Sequence, residues 1–468
     1  MWDRIHFTHY FTVGLKIWSN ALALRYDPYH SCYNFCTYCF ARQMERGSLK
    51  QQGKKYNPKI GRVSDIKLLA KELEKAEATP DSKDDFITLS VKKRWPIEVG
   101  TMGEPTLEID KQLRVFWNFV ELMKSYDIPI FLNTKGNLLV KDESYFNLVC
   151  ELGKNVIVDV PLVFYREEFK RKFEPKAPSV ADRLKLMKEL SEVGIYVVHS
   201  LRPIIKGYTD KERDLEKLVE KVCEAGVKAI HPRTLIVTGH MLKVPFWKRY
   251  VKESGMVFKD FQYRYTVGYL LEIINRIKPI CESYEVDIVA SHTLFFLLPN
   301  RGLWNKCDFE KAGWGSKIFP ITIVPLLRPA KKSNKPTLLT FDRLEKLLKQ
   351  YKELADRVIY LKHNRGEQLI WASSCMCKFR REVKVKFRDI VIKSLWDGWF
   401  GGFGYIANLK GIYVVCENGK PIRDSKGHLV YFYKPPTPSA FFNETTHTTN
   451  VSKIELKEVE RYVKVRGL

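Results

Sequence analysis

No run of apolar residues here approaches the length that crosses a bilayer, so no membrane span is expected. The first residues, Met1-Trp-Asp-Arg-Ile-His, lack the basic and then apolar pattern of a secretory signal. Cysteine is thin: ten in 468 residues, scattered apart from one tight group and one pair. That excludes a disulfide framework and makes a reduced cytoplasm the expected setting. No stretch repeats itself, which argues against a solenoid. Acidic residues are the scarcest relative to need, 54 against 79 Lys and Arg, for a net charge of +25. An excess of that size favours a polyanionic partner, DNA or RNA, with anionic small substrates as the other class. With 45% hydrophobic residues the chain can still bury a large core.

The tight group is Cys32, Cys36 and Cys39, in Tyr29-His-Ser-Cys-Tyr-Asn-Phe-Cys-Thr-Tyr-Cys-Phe40. Thiolates spaced C-x3-C-x2-C can hold three corners of a [4Fe–4S] cluster and leave its fourth iron without a protein ligand. A zinc half-site is the alternative. Zinc requires a fourth ligand, and Cys150, the next cysteine, has no close companion, although His30 lies near enough in sequence. With Phe40 after the third cysteine, the segment resembles the radical SAM enzymes. The resemblance implies a [4Fe–4S] cluster and S-adenosylmethionine (SAM) as cofactors, a 5′-deoxyadenosyl radical as their product, and an external electron donor such as ferredoxin or flavodoxin.

Strand-like and helix-like runs alternate from about residue 20 to 290. Strands are expected at Ala21–Arg25, Pro96–Gly100, Ile128–Leu132, Asn155–Val160, Gly194–His199 and Val227–Ile230, the last extending through Leu235–Val237. Helices are expected at Val63–Ala76, Ile109–Lys124, Ser144–Leu152, Val180–Val193, Asp210–Ala225 and Phe258–Lys278, with one more strand at Tyr284–Ala290. Repeated βα units predict an α/β fold, a partial (β/α)6 TIM-type barrel with its chemistry at the C-terminal ends of the strands. After about residue 300 the rhythm changes. Residues 1–300 are read as the barrel, and 301–468 as a basic, mainly-β or α+β module. It carries a helix at Phe341–Ala355, an alternating strand at Val383–Arg388, and two strands within Val414–Tyr431 around turn-prone Glu417-Asn-Gly-Lys and Asp424-Ser-Lys-Gly.

The second strand ends in Gly100-Thr-Met-Gly-Glu-Pro105, where Met102, Gly103 and Glu104 resemble the family motif that binds the methionyl amino group. The third ends in Asn133-Thr-Lys-Gly136, placing Thr134 and Lys135 at the rim. Glu174-Pro-Lys-Ala-Pro-Ser179 with Arg183-Leu184 resembles a signature of the spore-photoproduct-lyase-like group, as do Tyr26-Asp-Pro-Tyr29, Ala41-Arg42 and Arg202-Pro-Ile-Ile205. The resemblance covers about residues 20–290 and implies cofactor contacts at Phe40, Met102, Gly103, Glu104, Thr134, Lys135, Arg183, Ser200 and Arg202. On the residues alone, Ser179 caps a helix and Arg183, one turn in, can reach a carboxylate. One departure stands out. Photoproduct lyases carry a hydrogen-donating cysteine at the end of strand two, and Val99-Gly-Thr-Met-Gly103 has none. Thymine-dimer repair is therefore not the expected reaction.

The remaining close pair, Cys375 and Cys377, are candidate hydrogen donors, with ordinary packed thiols as the other reading. Arg42, Arg46, Lys54 and Lys55 follow the cysteines with Tyr56 among them, and Arg380, Arg381, Lys384 and Lys386 alternate with Phe379 and Phe387. Cations suit phosphates and interleaved aromatics suit unstacked bases. The leading expectation is radical modification or repair of a nucleic-acid base. A peptide or small-metabolite modifier, and a zinc-stabilised nucleic-acid-binding protein, are the alternatives.

Overall fold

The computed structural model describes residues 4–8, 12–13, 22–42, 45–46, 49, 53, 55–57, 60–81, 86–259, 262–290, 302–304, 306–318, 326, 329, 332–333, 335–356, 358–361, 383–392, 396, 411–435 and 453–463. Its centre is a parallel sheet of β1 (Leu24–Tyr26), β2 (Ile97–Val99), β3 (Ile130–Asn133), β4 (Val156–Pro161), β5 (Tyr196–Ser200), β6 (Ala229–Ile230), β7 (Asp287–Ala290) and β8 (Gly302–Trp304). These lie side by side in chain order, and Thr12–Val13 adds an antiparallel edge beside β1. Helices α1 (Ile66–Ala78), α2 (Val115–Ser125), α3 (Glu143–Cys150), α4 (Val180–Glu192), α5 (Asp214–Glu224) and α6 (Val267–Ser283) make the crossovers. This is the partial barrel expected from the alternating pattern.

The period of two separates two cores. Ile130, Leu132, Val156, Val158, Val197 and Ile230 face the helices. Phe131, Ile157, Val198, Ala229 and Val289, from alternate positions, face the lumen and pack on Cys307, Phe309 and Trp314. The segment 306–318 thus plugs the barrel at the N-terminal ends of its strands. Trp314 Nε1 donates to the Lys154 carbonyl at 2.7 Å just before β4, and Lys311 pairs with Asp287 at 2.6 Å.

Several expectations shift, the helix expected from Asp210 beginning at Asp214 and that expected at Phe341–Ala355 breaking at Tyr351 among them. The helix expected from Val63 begins at Ile66, because Ile60–Ser64 is a strand paired with Arg4–Thr8 and Asp65 caps the helix. Ile109–Lys124 is broken at Arg114, whose φ is 54°. Leu235–Val237 does not extend β6: Pro232 offers no N–H to the ladder, and Ile236–Thr238 pairs instead with Gln262–Arg264. The helix expected from Phe258 begins at Val267, since Val257–Lys259 and Gln262–Arg264 form a hairpin with Phe258 against Tyr263.

A five-stranded sheet contains Thr337–Leu339, Ile412–Glu417, Lys420–Pro421, Tyr431–Tyr433 and Lys453–Glu455, with helix Phe341–Gln350 nearby in sequence. Both turn-prone segments are turns: Glu417 opposes Lys420, and Gly427 N–H donates to the Asp424 carbonyl at 2.9 Å. Val383–Lys386 is a strand paired with Val358–Leu361, and the chain becomes helical from Phe387. Cys375, Cys377, Arg380, Arg381 and Lys54 lie outside the described residues, as does most of the Gly- and aromatic-rich 396–405.

Candidate active site

The cysteine loop leaves β1 at the C-terminal end of the barrel and is fixed on every side by groups far away in sequence. Asp27 accepts from Thr101 Oγ1 and from the Met102 N–H, both at 2.8 Å, which ties the start of the loop to the end of β2. Tyr29 bridges to Val63, and His30 N–H donates to the Arg62 carbonyl at 2.9 Å. Asn34 and Asn137 exchange side-chain amide bonds at 2.8 and 3.2 Å. Thr37 N–H donates to the Phe173 carbonyl at 2.9 Å, and Trp247 Nε1 donates to the Thr37 carbonyl at 3.1 Å.

Gly103 is where the β2 loop meets the cysteine loop. A Cβ built there would stand 1.9 Å from the Tyr29 carbonyl oxygen, and backbone cannot step aside cheaply. Gly103→Ala is therefore expected to displace the cysteine loop and cost about 1–3 kcal/mol, the usual penalty of overpacking. Iron bound per chain after reconstitution should fall several-fold while the melt stays cooperative. Full iron content in the variant would contradict the contact.

Glu104 is buried and heavily used. It accepts from the Thr106 N–H at 3.2 Å, Thr106 Oγ1 at 2.7 Å, the Lys135 N–H at 2.8 Å and Thr134 Oγ1. In this arrangement Glu104 and Thr134 join the ends of β2 and β3. Lys135 Nζ reaches Glu174 at 2.9 Å. Glu174 also accepts from the Tyr38 hydroxyl, which sits between Cys36 and Cys39, and pairs with Arg183 at 2.7 Å. Both Glu174 and Arg183 are fully buried, and Arg183 Nη1 donates to the Pro161 carbonyl at 2.8 Å. Burial alone would raise the Glu174 pKa, but Arg183 and Lys135 outweigh it and hold the carboxyl at about 2. Arg183 reaches a carboxylate as expected; it is the chain's own, and it lies beneath the loop. The Ser179 cap is present as a capping box with Asp182.

Cys32, Cys36 and Cys39 line one pocket, together with Met102, Phe35, Arg42 and Tyr56. Burial pushes the Cys32 thiol up to about 12 and the Cys36 thiol higher still, against the opposing pull of Lys135. Desolvated thiols become thiolates only when a strong cation is supplied, which bound iron does. Among the described residues no three His, Cys, Asp or Glu side chains converge as the ligands of a single ion would. A cubane spreads its ligands over separate corners, so three thiols facing one pocket fit it. His30 Nε2 lies 3.2 Å from Ser64 Oγ.

Phe40 lies beyond the third cysteine and is 56% exposed. Ser200 is fully buried and donates to Asp159, which also pairs with Arg202 at 2.9 Å. Arg42 stands 5.2 Å from the Phe35 ring centroid. Arg46 lies over Tyr56 at 4.6 Å and contacts His240 Nδ1 at 2.7 Å. Lys55 is exposed nearby in sequence, and Lys386 is exposed at the end of its strand; for Lys384 only the backbone is described. Sequence reasoning missed Asp27, Tyr38, Asn34, Asn137 and Trp247 as supports, and gave Glu174 no role although it begins the motif. Its position at the head of the Glu174-Pro-Lys-Ala-Pro-Ser179 run was the available signal.

Residues 26–222 match the family model of the radical SAM superfamily. An uncharacterized protein of Acidianus two-tailed virus is 26% identical over 199 residues, 40% of this chain and 65% of that protein. One of Mycobacterium tuberculosis (strain H37Rv) is 22% identical over 215 residues, 45% of this chain and 58% of that protein. The chain thus spans less than two thirds of either relative. Spore photoproduct lyase complexed with dinucleoside spore photoproduct aligns with a TM-score of 0.44 at 13% identity, over 61% of this chain and 81% of the other. Streptococcus suis SuiB bound to precursor peptide SuiA aligns at 0.38 and 15%, over 60% and 52%.

Proposed function

We propose, from the premise that residues 26–222 of this chain form a radical SAM domain, that the protein modifies a base in DNA or RNA. The domain's cofactors are a [4Fe–4S] cluster and SAM, which together supply a 5′-deoxyadenosyl radical when bound. Cys32, Cys36 and Cys39 would hold the cluster, and Met102 of the 101–104 loop lines the same pocket as the three thiols. The chain's own work is positional. Asp27 and Gly103 set the β2 loop against the cysteines, and the Tyr38–Glu174–Lys135 contacts lock the loop from below.

The observation that carries the choice of substrate is the wall of the thiol pocket. Phe35 is 38% exposed and has two cations over its ring, Arg42 at 5.2 Å and Lys176 at 5.1 Å. Tyr56 lines the same pocket under Arg46. Aromatic faces flanked by cations suit a base drawn out of its stack and the phosphates beside it. The net charge of +25 supports the same reading. The sheet after residue 336 and the basic strand Val383–Lys386 are proposed to grip the flanking backbone, with a ferredoxin or flavodoxin as electron donor. No described helix is long and apolar enough to cross a membrane.

Fluorescence anisotropy with labelled single-stranded DNA and RNA tests this reading. The affinity of one of them is expected to fall linearly with salt on a log–log scale. A double Arg42→Ala, Arg46→Ala variant should bind about tenfold more weakly and with a shallower salt slope. Affinity for neither nucleic acid at low salt would rule the reading out.

A further inference from the structure

Above the apolar plug, the inward side chains of the barrel change character. Arg25 on β1, Glu98 on β2, Asp159 on β4 and Ser200 on β5 form a polar layer, and Arg202 and His231 continue the inward alternation past the ends of β5 and β6. Lys306, at the head of the plug, enters the same layer, with its ammonium on Glu98 and 4.8 Å from the Phe131 ring centroid. Both carboxylates are already engaged. Glu98 takes Lys306 and, at 3.4 Å, Arg25; Asp159 takes Ser200 and, at 2.9 Å, Arg202. Three cations thus share two acids.

His231 stands in the middle of this imbalance. It is 93% buried, and its Nδ1 has no hydrogen-bond partner. The charged groups acting on it are all cations, Arg202, Arg233 and Lys306, and with burial as the larger cause they push its pKa well down. Burial, Arg202 and Arg264 likewise lower the Arg233 pKa to about 10. A buried donor left unpaired in a net positive field is completed by an oxyanion.

We propose that His231, Arg202 and Lys306 form an oxyanion subsite in the barrel lumen that takes one phosphate of the substrate, a proposal that rests on the nucleic-acid reading above. The Nδ1–H tautomer of His231 donates one hydrogen bond to the phosphate, and the cations supply its countercharge. The phosphate beside the target nucleotide then fixes how deeply the base enters the pocket.

The test uses the reconstituted enzyme before SAM is added, with inorganic phosphate as the probe, in equilibrium dialysis. Saturable phosphate binding is expected, weakened about tenfold in His231→Leu. His231→Asn, whose amide nitrogen can stand where Nδ1 does, should restore most of it, which a merely structural role would not. A single-stranded oligonucleotide should displace the phosphate. Equal binding by wild type and His231→Leu overturns the subsite, as does displacement of phosphate by added SAM, which would assign the layer to the cofactor's carboxylate. Should oligonucleotides bind with the expected salt dependence while phosphate does not, the subsite falls and the nucleic-acid reading stands. Should His231-dependent phosphate binding resist every oligonucleotide, the subsite stands and that reading falls.

Discussion

Cys36→Ala is expected to reduce 5′-deoxyadenosine formation by roughly two orders of magnitude or more, since a lost ligand costs more than the 10–100-fold typical of a lost supporting contact. Cys36 is the most buried of the three thiols, and the loop around it is held by Thr37, Asn34 and Trp247 through contacts that do not involve sulfur. The variant should therefore keep its fold and melting temperature while failing to retain iron. This separation of cofactor from scaffold is the informative part. If iron and product formation both survive, the three-cysteine assignment is wrong; if the chain unfolds, the loop is less independently supported than its hydrogen bonds indicate. Anaerobic reconstitution followed by iron analysis, a thermal melt and product quantification supplies all the readouts.

Glu174→Gln should have the largest effect on stability. It leaves Arg183 buried with its countercharge gone, a change that costs about 3–5 kcal/mol when one partner of a buried pair is removed. It also loosens Tyr38 and Lys135, and with them the cysteine loop, so iron content should fall as well. The pH dependence carries a separate signature. In the fold the carboxyl titrates at about 2, against an ordinary value of 4.5. A depressed carboxyl stabilises the fold fully above its unfolded value and loses that contribution as pH falls from about 4.5 toward 2. The gap amounts to roughly 3 kcal/mol. Glu98, held at about 2 by Lys306 and Arg25 against the cost of burial, contributes over the same range. Urea unfolding of the wild type at pH 5 and pH 3 should show the decline, and Glu174→Gln should show a shallower one. A variant as acid-sensitive as the wild type would mean that Glu174 is not charged in the fold.

The barrel was legible because its strands are short apolar runs between helices of 3.6-residue period. Ile97–Val99, Ile130–Asn133 and Val156–Pro161 fall on or within a residue or two of the expected runs. The hairpin Val257–Arg264 was not, because its aromatics fit an amphipathic helix equally well; only the pairing of Phe258 with Tyr263 distinguishes them. The plug at 306–318 has no periodicity at all, and its role comes from contacts with β3 to β7 that no local pattern encodes. The three cysteines stood out by their spacing, and the fold gathers them around one pocket. Glu174 did not: Arg183 is close in sequence, but its other partners lie 136 residues earlier at Tyr38 and 39 earlier at Lys135. The lumen layer was hidden for a related reason: Glu98 and Asp159, each alternating with valine or isoleucine, look like the wet side of a half-buried strand, and closure of the barrel turns that side inward.

The most direct test of the central claim is metal and product analysis of the wild-type chain prepared without oxygen. The account expects about four irons and four sulfides per chain, and 5′-deoxyadenosine from SAM once a strong reductant is added. Stoichiometric zinc in their place, with SAM left intact under reduction, would contradict it.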